Sequence, residues 1–86
     1  MDGIVNVYPN PTKGNFNIEI QATSSYDTKL LVYDIIGKKV FEKPAIISKG
    51  LNTLQLDFGN YANGTYILQF NDVTGKLHTT KVVVKD

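Results

Sequence analysis

The chain has 86 residues, 42% hydrophobic and 20% charged, which is ordinary for a globular protein and enough for one small domain around a single core. Nine lysines against eight acidic residues leave a net charge of +1 with no arginine, which argues against the concentrated basic face and bidentate guanidinium readers that nucleic-acid or acidic-membrane binding uses. Cysteine is absent, so no disulfide and no thiolate metal site exists, and no apolar run approaches the roughly 20 residues of a membrane span.

Taken in chain order, the pattern is all-β. A first strand is expected near 4–8, ending at Pro9-Asn10-Pro11, where two prolines force extended backbone before a reversal near Lys13-Gly14. Residues 15–21 alternate strictly, with Phe16, Ile18 and Ile20 on one face and Asn15, Asn17, Glu19 and Gln21 on the other, the mark of a half-buried strand. The next strand, 28–34, is apolar on both faces from Leu30 to Tyr33, as in the middle of a packed sheet. Asp34-Ile35-Ile36-Gly37 has Asp first and Gly fourth, the preference of a type I turn, and the Asp carboxylate is placed to accept a backbone N–H two residues on. Strands near 38–43, 51–57, 64–71 and 76–85 follow, separated by reversals at Lys49-Gly50, Asn63-Gly64 and Thr74-Gly75.

No segment carries sustained helical periodicity. Seven short strands between turns predict an immunoglobulin-like antiparallel β-sandwich with Phe16, Ile18, Ile20, Val32, Leu54, Leu56, Tyr66, Leu68 and Phe70 in its core. Tyr66 lies early in the sixth strand, behind the Asn63-Gly64 turn. There it is either a tyrosine corner, its hydroxyl bonded to upstream backbone, or a plain core aromatic with its hydroxyl at the rim.

Chemistry finds little to use. His78 is the sole histidine, among threonines in a predicted strand, and reads as a solvent-facing or rim residue. Ser24, Ser25 and Ser48 lie in no nucleophile-elbow context, so no catalytic residue is expected. Asp27, Asp34, Asp57 and Asp72 fall at turns or strand ends without a calcium-loop pattern, so turn stabilisation is the expected role. No metal or cofactor is called for. Tyr8, Tyr26, Tyr33 and Tyr61 would be the residues of a sugar platform if the chain were a carbohydrate-binding module, and a non-catalytic immunoglobulin-like spacer is a further alternative.

Several short motifs recur across the chain in a fixed order: Tyr8-Pro9-Asn10-Pro11 with Gly14, Asp34 and Gly37 with Lys38 and Val40, Gly64 with Tyr66, and Gly75-Lys76 with the terminal Lys81-Val82-Val83-Val84-Lys85. In this combination the sequence resembles the C-terminal sorting domains of the type IX secretion system, type A, which end cargo proteins exported across the outer membrane of Bacteroidota. The resemblance implies a single domain, residues 1–86, excised from a larger secreted protein, with Met1-Asp2-Gly3 reading as an engineered start. It implies a covalently attached N-terminal cargo, transit through the periplasm, and recognition by an outer-membrane translocon. It further implies removal at the cell surface by a sortase-like protease, which joins the cargo to lipopolysaccharide, and an extracellular or surface destination.

Two groups of residues follow for testing. Pro9, Asn10, Pro11, Gly14, Asp34, Gly37, Gly64 and Tyr66 are expected to be structural, the proline segment as a clasp. Lys76, Lys81, Val82, Val83, Val84 and Lys85 are expected to carry recognition. Alternation places Lys81, Val83 and Lys85 on one face of the last strand and Val82 and Val84 on the other.

Overall fold

Each segment with period-two patterning forms a strand, in a computed structural model that describes residues 3–9, 12–13, 15–57 and 62–85. The strands are β1 (Gly3–Tyr8), β2 (Asn15–Ala22), β3 (Tyr26–Tyr33), β4 (Lys39–Ile47), β5 (Gly50–Asp57), β6 (Gly64–Asn71) and β7 (Leu77–Val84). They pair antiparallel in two sheets, β1-β2-β5 and β4-β3-β6-β7. In the constant-type immunoglobulin order the fourth strand joins the first two; here β4 lies beside β3 instead, giving three strands against four.

The one boundary that departs markedly from expectation is the end of β4, which runs through Pro44 to Ile47 rather than stopping near residue 43. Pro44 pairs with Lys29 of β3, and among the described residues β4 has no strand on its other side. An edge strand tolerates a residue without N–H, which a central strand does not.

The inner faces meet in a dry core. Phe16, Ile18, Ile20 and Leu56 come from the three-stranded sheet, and Leu30, Val32, Ile47, Leu68, Phe70 and Val82 from the four-stranded one, all essentially inaccessible to water. Leu54, expected in the core, is half-buried and packs against its margin, because β5 is the edge of its sheet. Leu30, Ile47, Val82 and Val84 join the expected set.

Two local devices close the sandwich. The Tyr66 hydroxyl donates to the carbonyl of Ala62 at 2.7 Å, which makes it a tyrosine corner. At the other seam, buried Thr12 donates its N–H to the carbonyl of Val83 at 2.8 Å and accepts the N–H of Lys85 at 2.7 Å. The link between β1 and β2 is thereby strapped onto the free edge of β7, in a parallel bridge to Val84. The Thr12 hydroxyl donates to the carbonyl of Asn15 at 2.7 Å, fixing the strap to the start of β2.

Candidate functional site

Two turns of this chain are built alike. At the β3–β4 turn Asp34 donates its N–H to the Lys38 carbonyl at 2.9 Å and accepts from Gly37 N at 3.1 Å. Its Oδ1 accepts from Ile36 N at 3.1 Å and Lys38 N at 2.9 Å. At the β6–β7 turn Asp72 donates to the Lys76 carbonyl at 2.9 Å and accepts from Gly75 N at 3.0 Å, and its Oδ1 accepts from Thr74 N at 2.8 Å and Lys76 N at 3.1 Å. Gly37 and Gly75 take φ of 90° and 85°, the left-handed region where a side chain is strained. The sequence signal is an Asp-x-x-Gly-Lys repeat at 34–38 and 72–76.

The second turn carries an extra anchor. Asp72 also accepts the Thr74 hydroxyl at 2.6 Å, and His78 Nε2 lies 2.8 Å from its Oδ2. The Thr74 hydroxyl, then His78 and the two N–H groups, hold the Asp72 carboxyl well below the usual carboxylate range against the opposing effect of burial. Of the two readings of His78, the rim one holds and the solvent-facing one does not: its side chain is 12% exposed and stacks on Phe70, ring centroids 5.1 Å apart. It lies on the same side of β7 as Val82 and Val84, where alternation places every even-numbered residue of that strand.

The residues expected to carry recognition fall in three places. Lys76 is exposed at the β6–β7 turn, one end of β7, and Lys85 is exposed just past the other end. Lys81 is exposed and Val83 half-buried on the outer face, whereas Val82 and Val84 are 0% and 2% exposed in the core. A partner on the folded domain therefore meets Lys81, Val83 and Lys85 and not Val82 or Val84. Among the structural residues, Asp34 and Gly37 lock a turn, Gly64 opens β6, Tyr66 forms the corner, and Pro9 is exposed after β1. Asn10, Pro11 and Gly14 lie outside the described residues. Of this segment, the described residue that is strapped down is Thr12.

The two sheets present unlike faces. On the outside of β1-β2-β5, Asn17 pairs with Gln55 and Glu19 with Thr53, a polar surface. On the outside of β4-β3-β6-β7, Tyr33 lies beside Ile67 and Ile67 beside Lys81. Tyr33, Ile67 and Lys81 line one open trough together with Asp34, Ile35 and Gly37. The fold thus brings Lys81 of the last strand next to the first Asp-x-x-Gly turn, 44 residues away by their numbers in the chain. Ile35, in its lining, and the next residue, Ile36, are 77% and 84% exposed. Neither was a candidate from sequence, although two isoleucines at the centre of a turn, where polar residues are preferred, are a legible oddity.

Glu42 bridges Lys39 at 2.7 Å and Lys29 at 3.6 Å, its carboxyl held low and the Lys39 ammonium raised by their mutual hydrogen bond. Among the described residues no three His, Cys, Asp or Glu side chains converge as metal ligands, and no helix is long and apolar enough to cross a membrane. Tyr8 and Tyr33 lie on the outer faces of different sheets, Tyr26 alternates onto the inner face of β3, and Tyr61 is outside the described residues. Among the described residues, Tyr8, Tyr26 and Tyr33 form no common platform for a sugar.

Comparison with known proteins adds three observations. The family model for a secretion system C-terminal sorting domain matches residues 6–85. The ulvan lyase NLR42 of Nonlabens ulvanivorans is 30% identical over 81 residues, 93% of this chain but 14% of the lyase, so the chain spans a small part of that relative's length. The crystal structure of CopC from Methylosinus trichosporium matches with a TM-score of 0.63 at 17% identity, over 96% of this chain and 92% of CopC, which is a likeness of fold.

Proposed function

Because this chain belongs to the family of secretion system C-terminal sorting domains, we propose that it is the export label of a larger cargo protein, delivered to the cell surface or beyond by the type IX machinery. The observation that carries this reading is the family match from residue 6 to residue 85, which takes in every motif from the Tyr-Pro-Asn-Pro segment to the terminal strand. The label does no chemistry; it is bound and carried. The 14% share of the lyase that it matches is the proportion expected of a label joined to a much bigger working part.

In this reading the cargo precedes the domain in one chain and crosses the periplasm with it. An outer-membrane translocon binds the folded domain, and a sortase-like protease cuts ahead of it at the surface. Folded recognition suits the structure: the two ends of the family pattern meet in one seam at Thr12 and Val83. Of the terminal residues, Lys81, Val83 and Lys85 are the ones a partner reads, with Lys76 at a separate corner.

The test attaches all 86 residues behind a periplasm-directed reporter in a host with the type IX system and in the same host lacking its translocon. Surface or medium reporter in the first strain and periplasmic reporter in the second is the expected result. Export in both strains, or in neither, overturns the reading.

A further inference from the structure

We propose that the Ile35-Ile36 tip and the trough beneath it form the surface through which this domain docks into an apolar pocket on a protein of the export machinery, a pocket rimmed by carboxylates. The proposal rests on the export reading above and assigns it a place on the molecule.

The tip is unusual on physical grounds. Ile35 and Ile36 are 77% and 84% exposed, yet they occupy the centre of a turn, where small polar residues fit at no cost to solubility. Such a turn is ordinarily adaptable, but this one is held from both sides. Asp34 supplies two side-chain and two backbone hydrogen bonds around it, and Gly37 provides the positive φ that closes it. The result is a rigid apolar knob presented away from the core. A rigid anchor loses little conformational freedom on binding, which is the property that makes a small contact strong.

The surroundings select the partner. Behind the knob the trough runs over Tyr33 and Ile67 to Lys81, so apolar surface continues from the tip onto the sheet. The outer face of the other sheet is polar at Asn17, Glu19, Thr53 and Gln55, with its exposed apolar residues, Leu51 and Tyr8, set apart toward opposite ends. Lys38, next to the tip, and Lys81, at the end of the trough, make no salt bridge among the described residues, whereas Lys39 and Lys29 share the one carboxylate of Glu42. An apolar anchor between two unneutralised ammonium groups fits an apolar pocket with acidic residues at its rim. A lipid surface fits less well, because two lysines are too few to hold a domain on an anionic bilayer. Strand addition is discouraged on the adjacent edge, where β4 carries Pro44.

The test uses the 86-residue chain behind the reporter described above, with Ile35→Ser/Ile36→Ser, Lys81→Glu and Ile46→Ser compared with the parent. Ile46 is the control: it is 77% exposed and lies on the same face at the far end of β3, paired with Asp27. The double isoleucine variant is expected to export on the order of 30-fold less than the parent, the loss that truncating an interface anchor brings. Its melting temperature is expected to be unchanged. Lys81→Glu is expected to fall in the same direction and Ile46→Ser to export normally. A cross-linker at position 36 should capture a machinery protein, and one at Thr53 on the opposite face should not.

Normal export of the double isoleucine variant overturns the docking surface while leaving the export label intact. Equal loss in Ile46→Ser also overturns it, since any loss of exposed apolar area would then suffice. If purified parent domain floats with phosphatidylethanolamine–phosphatidylglycerol vesicles and the double variant does not, the knob meets lipid and the protein partner is wrong. Failure of the parent itself to export removes the function and this surface together.

Discussion

Thr12 and Val83 are joined by a backbone hydrogen bond of 2.8 Å, although they stand near opposite ends of the chain. The same threonine receives the N–H of Lys85 at 2.7 Å, so one residue seals both edges of a seam between the two sheets. Thr12→Pro removes the donor to Val83 and leaves a carbonyl without it, which should cost about 1–3 kcal/mol. Thr12→Ala keeps both backbone bonds and loses the hydroxyl bond to Asn15, which should cost about 0.5–1.5 kcal/mol. Urea unfolding of the two variants separates them, and equal midpoints would remove the strap from the account.

Phe70 is 1% exposed and stacks on His78. Phe70→Ala should destabilise by about 3–5 kcal/mol through lost burial and the cavity left behind. A domain of this size holds only about 5–15 kcal/mol in total, so the variant should melt far below the parent by circular dichroism. A shift of only a few degrees would mean that the sheets close over the gap.

Gly37 has φ of 90° and open space where a side chain would project. Gly37→Ala therefore meets backbone strain with no clash, a cost of about 1–2 kcal/mol. Gly75→Ala should match it, since φ there is 85° and the space is equally open. A large difference in melting temperature between the two would show that the turns are not equivalent in energy.

Acid should weaken the domain through Asp72. The folded carboxyl is held below its ordinary value of 3.8 chiefly by the Thr74 hydroxyl and His78. Its contribution is thus complete above about pH 4 and lost as pH falls through the folded value. Melting temperatures of the parent and Asp72→Asn should differ by a constant amount near neutrality and converge below about pH 4. A gap that persists unchanged in strong acid would place the stabilisation elsewhere.

The Tyr66 hydroxyl bond to Ala62 is testable alone, because Phe preserves the ring. Tyr66→Phe should cost about 0.5–1.5 kcal/mol with no loss of sheet signal. No measurable change in the unfolding midpoint would reduce the corner to packing.

Strand positions were legible because alternation reports which face is buried, and seven such runs leave few architectures open. Three things were hidden for physical reasons. Pro44 sits inside β4, and only the absence of a neighbouring strand makes that harmless. Leu54 alternates like a core residue, yet edge position leaves it half-covered. His78 looks polar and exposed by type, but its register on β7 turns it inward onto Phe70 and Asp72. The candidate surface was only half legible: Lys81 stood out in the terminal strand, while its approach to Ile35 depends on pairings between β3, β6 and β7 that no local pattern encodes.

The bond between Thr12 and Val83 has a consequence for synthesis. A ribosome delivers Thr12 early and β7 after the other six strands. Until Val82 and Val84 emerge, the strap has no edge to rest on and the inner face of β6 lacks its last neighbour. A message broken or stalled before that point yields a chain that cannot complete the sandwich. The folded domain is therefore also a receipt for translation: it exists only on molecules that have been read through β7.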